Sequence, residues 1–511
     1  MKKKAFLKNA VILTVSMLLL RTINIGYRVY LSNKIGTAGM GLFQLILSVF
    51  VLAITISASG ISLVVTRLVA EAAASGTSGC TRSIIRKCMA FSLTLSLLAV
   101  AGLYFSADFV AANLLGDCRA ALPLKILAPG LPFIAVCACM KGYFLAVRDM
   151  FKPASAEVLE QFVTIGIVAA LFVYFAPQGL ENACCAIMLG STAGEVISCG
   201  YTFLVYQISL KKRNCPKAKS SGVFRKILHI ALPVTFSSTL RSILSTVENI
   251  LIPVGLKKNG ASAESSLSQY GMIQGMVMPI LYFPSAFLSA FSSLLIPEMA
   301  EANAAGKHKT IGRTTSRAMQ LTLLYSIFIT SVFIAFSKDL GLAFYRNEQS
   351  GVILRILAPL VPLMYLDSVV DAILKGLDQQ LSSLKYNFSD SVLRVLLIYF
   401  AVPFAGTKGY ICVLFFSTIF NATLSINRLI KVSKVTVQVT SWVFKPVICA
   451  ALSAFMVLIF CKLPMISALS EWICASMQVV FAGFLYYLFL RLCGSFTEED
   501  VLWVKSIFKQ Q

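Results

Sequence analysis

The sequence predicts an all-α integral membrane protein of about fourteen transmembrane helices, built as two parallel six-helix repeats followed by two C-terminal helices. Three observations predict it. The 511 residues are 58% hydrophobic and only 13% charged, with a mean hydropathy of +0.81, so a soluble chain of this length would lack polar surface. Apolar runs of about 20 residues, enough to span a bilayer as a helix, recur from end to end. Stretches of the first part also reappear in the second at a constant offset of 230 residues.

The first run, 7–30, is too long and too polar in its second half for a cleaved leader, and no small-residue cleavage site follows it, so it is read as a permanent helix. It carries Arg21, Asn24 and Arg28. A charge inside hydrocarbon costs roughly 2.5–3.5 kcal/mol on insertion scales, so it is kept where it faces protein, water or an anion. The two arginines are seven residues apart, which places them on one helical face about 10 Å from end to end. Arg28 lies nearer the outer interface, where snorkelling is the alternative reading.

The next runs are 40–66, 88–106, 124–147, 157–176 and 183–209. Lys141, near the cytoplasmic end of the fourth, is expected to snorkel, and Glu160 and Glu195 fall in the fifth and sixth. The second half supplies 227–254, 268–296, 318–337, 351–374, 391–406 and 409–430. Of these, 227–254 carries Arg241 and Glu248, 351–374 carries Asp367 and Asp371, and 391–406 carries Arg394. Runs 444–461 and 472–493 lie beyond the repeat. Prolines inside the runs, including Pro129, Pro132, Pro233, Pro359 and Pro362, predict kinks.

The repeat is explicit. Leu124-Lys-Ile-Leu-Ala-Pro-Gly-Leu-Pro132 corresponds to Leu354-Arg-Ile-Leu-Ala-Pro-Leu-Val-Pro362, Ala70-Glu71-Ala72 to Ala300-Glu301-Ala302, and Gly41/Gln44 to Gly271/Gln274, all 230 apart. Six helices per repeat is an even number, so both insert the same way round, related by an axis along the membrane normal. The predicted divisions are an N-terminal lobe 1–210, a basic cytoplasmic linker 211–226, a C-terminal lobe 227–434, and two further helices with a tail in 435–511. Leu20-Arg21-Thr22-Ile23 resembles Leu240-Arg241-Ser242-Ile243 at an offset of 220, so each repeat aims an arginine inward.

The net charge of +23 sits in alternate loops, such as Arg82/Arg86/Lys87, Lys211–Lys226 and Lys307–Arg317. That pattern places both termini in the cytoplasm and explains the charge by orientation and contact with anionic lipid, not by nucleic acid. With only His229 and His308, a histidine-based zinc site or catalytic triad is excluded. The fourteen cysteines lie mostly within apolar runs, without metal-ligand spacing. The loops are too short and basic for a glycosyltransferase or ligase site. No cofactor is expected beyond sodium or proton coupling, for which Glu248, Asp367 and Asp371 are the candidates; internal ion pairs are the competing reading for each.

Phe6-Leu7-Lys8, Arg21 and Arg28, the glycine pattern Ile35-Gly36-Thr-Ala-Gly39-Met-Gly41-Leu42-Phe43, and Val69-Ala70-Glu71-Ala72 together resemble the stage V sporulation protein B family. These are polysaccharide flippases of the multidrug/oligosaccharidyl-lipid/polysaccharide (MOP) superfamily, related to the lipid II flippase, and the similarity runs along nearly the whole chain. The resemblance implies two MATE-like lobes in an inverted V in the bacterial cell membrane. It implies movement of a lipid-linked oligosaccharide from inner to outer leaflet for spore cortex peptidoglycan, not an enzymatic reaction. It also implies headgroup binding by Arg21, Arg28 and Asn24, with Arg241 a looser match. The partners are then this substrate and membrane lipids, the protein acting as a monomer. The competing reading within the superfamily, a drug or organic-cation antiporter, needs an intramembrane carboxylate in the first helix, where this chain has two arginines and no acid.

Overall fold

The computed structural model describes the backbone of residues 2–74, 81–212, 223–435, 438–460, 471–496 and 498. Among these the regular structure is helical throughout, with no strand. A backbone in hydrocarbon has no water to bond, and helices satisfy every peptide group internally. Packing divides the chain into two units, Met1–Gly271 and Met272–Gln511.

The first unit holds α1 (Lys2–Ala58), α2 (Ile61–Ala74), α3 (Thr81–Phe109), α4 (Ala121–Leu127), α5 (Leu131–Ala146), α6 (Phe151–Phe175), α7 (Leu180–Lys212), α8 (Val223–Lys258) and α9 (Ala263–Tyr270). Its core brings Val64, Val65 and Leu68 of α2 against Ile85 and Cys88 of α3, Met140 and Phe144 of α5, Tyr206 of α7 and Ile227 of α8. The second unit holds α10 (Met278–Tyr282), α11 (Ser285–Ala304), α12 (His308–Ala335), α13 (Ser337–Tyr345), α14 (Glu348–Leu357), α15 (Val361–Gly376), α16 (Gln380–Ser433), α17 (Lys445–Phe460) and α18 (Glu471–Leu492).

Ten helical segments among the described residues are long and apolar enough to cross a membrane, or eleven counting the bent pair Ala263–Tyr282 and Ser285–Ala304. Two of the ten, Val15–Ala73 and Gln380–Ser433, run to 59 and 54 residues, more than twice what one crossing needs. Each holds two of the apolar runs read from the sequence, and each contains a glycine in a left-handed conformation, Gly36 (φ 68°) and Gly406 (φ 59°), where a side chain would clash. Large apolar side chains such as Phe105, Tyr174, Phe404 and Val480 are exposed, 82%, 73%, 89% and 73% respectively. Exposure of that kind fits lipid contact, and the protein is a multi-pass membrane protein.

The 230-residue repeat is visible in the backbone. Ala128–Gly130 and Ala358–Leu360 are both 3₁₀ turns interrupting a span at Ala-Pro, because proline removes a donor and crowds the preceding turn. Gly116 and Arg346 are both left-handed helix ends, followed by Asp117 and Asn347, whose side chains accept from the backbone N–H groups of Arg119 and Gln349. Arg148 and Asp378, again 230 apart, both adopt positive φ. In the first unit the repeated glycines meet. A Cβ on Gly41 would lie 2.1 Å from the Leu267 carbonyl oxygen and one on Gly271 2.2 Å from that of Thr37, and the Thr37 and Ser268 hydroxyls are hydrogen-bonded at 2.6 Å.

Candidate functional site

Within the first unit, α1 and α8 line an open cavity of about 690 Å³. Arg28 and Arg241 line it, one from each helix. The remaining wall is neutral: Gln44, Ser48, Thr55 and Ser59 from the α1 side, and Ser238, Ser242, Ser245, Thr246 and Asn249 from α8, with a few aliphatic side chains. No carboxylate is among the lining residues. The two walls are tied by Thr246, whose hydroxyl donates to the Ser48 carbonyl at 3.0 Å, and by Thr235, which donates to the Ser59 carbonyl at 2.9 Å. Tyr270 of α9 donates to the Asn249 side-chain oxygen at 2.9 Å.

The residues singled out in the first helix separate. Arg28 Nε donates to Asn24 Oδ1 at 3.2 Å, one turn away, so Asn24 orients the guanidinium. Arg21 and Asn24 are exposed and lie outside the cavity lining, whereas Arg28 is half-buried and within it. Arg241 is exposed on the facing wall, and Glu248 is buried at 9% exposure, outside the lining. Chemically, the cavity presents fixed positive charge and many neutral hydrogen-bonding groups, a combination suited to an anion carrying polar substituents.

The acids of the second unit divide in the same way. Asp371 forms an ion pair with Lys375 at 2.5 Å and accepts a hydrogen bond from Ser383, so it is held within the protein. Asp367 Oδ2 accepts from Asn421 Nδ2 at 3.0 Å, while Asp367 Oδ1 and Asn421 Oδ1 are buried without a hydrogen-bond partner among the described residues. Arg394 pairs with Asp390 at 2.6 Å, and the Ser417 hydroxyl bridges the two at 2.9 and 2.5 Å. Sequence reading named Arg394 but not its partner Asp390, although their four-residue spacing in an apolar run signals such a pair. No group of three His, Cys, Asp or Glu residues that could hold a metal occurs among the described residues.

Lys141, expected to snorkel, has an acidic neighbour in the structure. Its Nζ pairs with Glu157 at 3.0 Å, and Glu160 of α6 and Glu195 of α7 lie close enough for their carboxyl groups to act on its charge. The pair is partly exposed, Lys141 26% and Glu157 45%, which fits a position near the helix end.

Residues 6–303 match the polysaccharide biosynthesis protein family, and residues 226–400 match the MatE family. Stage V sporulation protein B of Bacillus subtilis (strain 168) is 27% identical over 516 residues, covering 98% of both chains. The lipid II flippase MurJ of the same organism is 22% identical over 401 residues, 73% of each chain. A solved structure of lipid II flippase MurJ in an inward closed conformation shares the fold, with a TM-score of 0.70 at 13% identity, covering 94% of this chain and 98% of that one. The chain belongs to the polysaccharide biosynthesis protein family, whose members are membrane transporters and flippases of the MOP superfamily, not enzymes.

Proposed function

We propose that the protein is an alternating-access flippase for a lipid-linked oligosaccharide. The substrate is a polyprenyl diphosphate-linked peptidoglycan precursor or a related glycan, carried from the inner to the outer leaflet for spore cortex or cell-wall synthesis. The observation that carries this reading is the pair Arg28 and Arg241 facing one cavity whose lining holds no acid. The lipid tail is at home in the bilayer, so only the headgroup needs escort. A guanidinium fork binds phosphate oxygens bidentately and stays charged when partly buried. An inside-negative potential favours outward movement of the anion by roughly 2.3 kcal/mol per charge per 100 mV. The names of the relatives, a sporulation protein and a lipid II flippase, point the same way.

In this proposal Arg28 and Arg241 grip the diphosphate from the cavity wall, Asn24 fixes the Arg28 guanidinium, and Arg21 engages the headgroup from outside the cavity. The lobes 1–210 and 227–434 rock about the site, the linker 211–226 and both termini are cytoplasmic, and the unit of function is a monomer. Of the three acids named for sodium or proton coupling, Asp367 is favoured. Its unpartnered Oδ1 and that of Asn421 call for a cation or proton, whereas Asp371 is committed to Lys375 and Ser383.

The test is flipping by the purified protein in proteoliposomes, comparing lipid II, another polyprenyl-linked glycan and a cationic dye. Movement of a polyprenyl-linked glycan, lost in Arg28→Ala and Arg241→Ala variants that still fold and insert, is the expected result. Export of the dye alone would make the protein a drug antiporter, and formation of a new glycosidic product would make it a glycosyltransferase.

A further inference from the structure

The cavity has a second chemistry that the arginines do not explain. Ser238, Ser242 and Ser245 stand at spacings of four and three residues, on one face of α8 beside Arg241. Among the described residues their hydroxyls make no hydrogen bond. The adjacent Ser237 and the facing Ser48 and Thr55, by contrast, each donate to a carbonyl of their own helix, at 3.0, 2.7 and 2.7 Å. Back-bonding is the ordinary fate of such hydroxyls inside a helix. On the opposite wall Gln44 Oε1 is buried without a donor. A buried acceptor left unmet is a standing penalty, and phosphate oxygens, which only accept, cannot relieve it.

From this we infer a neutral subsite, formed by Gln44 with Ser238, Ser242 and Ser245, that reads the hydroxyl or amide groups of the sugar next to the diphosphate. The inference rests on the flippase reading and adds a division of labour to it. The arginines hold the phosphates, and the neutral groups decide whether a glycan is attached. Ring hydroxyls both donate and accept, so one sugar can supply Gln44 with its missing donor and meet the serine hydroxyls in either sense.

The experiment measures binding of three carriers to the full chain in nanodiscs: bare polyprenyl diphosphate, the same carrier with one N-acetylhexosamine, and the same carrier with two sugars. The wild-type protein is expected to prefer the glycosylated carriers by about tenfold, the order expected of one or two neutral hydrogen bonds. Gln44→Leu, and separately Ser242→Ala combined with Ser245→Ala, should shrink that preference to about threefold or less while leaving bare-carrier affinity within about twofold. The serine hydroxyls hold nothing together, so the serine variant keeps the test open if Gln44→Leu fails to fold. Arg241→Gln should weaken all three carriers alike. No preference in the wild type, or an undiminished preference in the folded variants, overturns the subsite. Unchanged bare-carrier affinity in Arg241→Gln instead overturns the underlying assignment of the arginines to the diphosphate.

Discussion

Replacing Gly41 with alanine tests the close approach that builds the first unit. The new Cβ would lie 2.1 Å from the Leu267 carbonyl oxygen and 2.9 Å from its carbon, and both obstacles are backbone. No side chain can swing aside, so α1 and α9 must separate by about 1 Å, and the 2.6 Å contact between the Thr37 and Ser268 hydroxyls is lost with it. Overpacking of this kind costs about 1–3 kcal/mol and a hydrogen bond about 0.5–1.5, which together give about 2–4 kcal/mol. Gly166 in α6 is the matched control. No atom lies within 4 Å of its Cβ position, and alanine there should stabilise by about 0.5–1 kcal/mol through helix propensity. Thermal unfolding of the purified protein in detergent, followed by tryptophan fluorescence, should place Gly41→Ala well below wild type and Gly166→Ala slightly above it. A Gly41→Ala protein as stable as wild type would refute the backbone contact.

Arg28→Lys keeps the charge but loses the planar fork and the bond to Asn24, so affinity for a polyprenyl diphosphate should fall about tenfold and become more salt-sensitive; equal affinity in a titration would show that the fork is not used. Asp390→Ala leaves Arg394, only 30% exposed, without its partner and should cost about 3 kcal/mol in unfolding, and a loss under 1 kcal/mol would mean the pair contributes little. Lys141→Ala removes the ion pair with Glu157 and should lower unfolding stability by up to about 1 kcal/mol; an unchanged unfolding temperature would show that the pair contributes nothing. Burial pushes the Asp117 carboxyl up, but hydrogen bonds from the side chain and backbone of Arg119, with its charge, outweigh this and hold it below the usual carboxylate range. Its contribution is therefore complete above the unfolded value of about 3.9 and is lost as pH falls through the folded one, so Asp117→Asn should flatten the acid limb of a stability profile below about pH 5.

Much of the molecule could be read from residue order because a bilayer is a severe solvent. It demands about 20 apolar residues per crossing, so the apolar runs coincide with helices among the described residues, including 7–30 and most of 40–66 in α1 and two runs inside α16. The repeat was equally legible, since Ala-Pro at 128–129 and 358–359 imposes the same backbone break wherever it occurs in a helix. Charge within apolar runs announced itself by type: Arg28, Arg241, Asp367 and Arg394 are too expensive in hydrocarbon to be incidental.

Which partner each charge takes was decided by tertiary packing. Helical periodicity places Arg21 and Arg28 on one face, yet only Arg28 lines the cavity, because lining depends on what the facing helix leaves open. The same holds for Asp367 and Asp371, one turn apart, where Ser383 of α16 binds the second and Asn421 binds the first. The partners of Lys141 could not be read from α5, since Glu157 and Glu160 arrive from α6 and Glu195 from α7. Sequence alone determined that this chain crosses the membrane many times, in duplicate, with cations within its apolar runs, because solvation energy is a property of each segment. Tertiary structure decided which cations meet at a cavity and which partner each acid takes, because pairing is a property of neighbours from different segments.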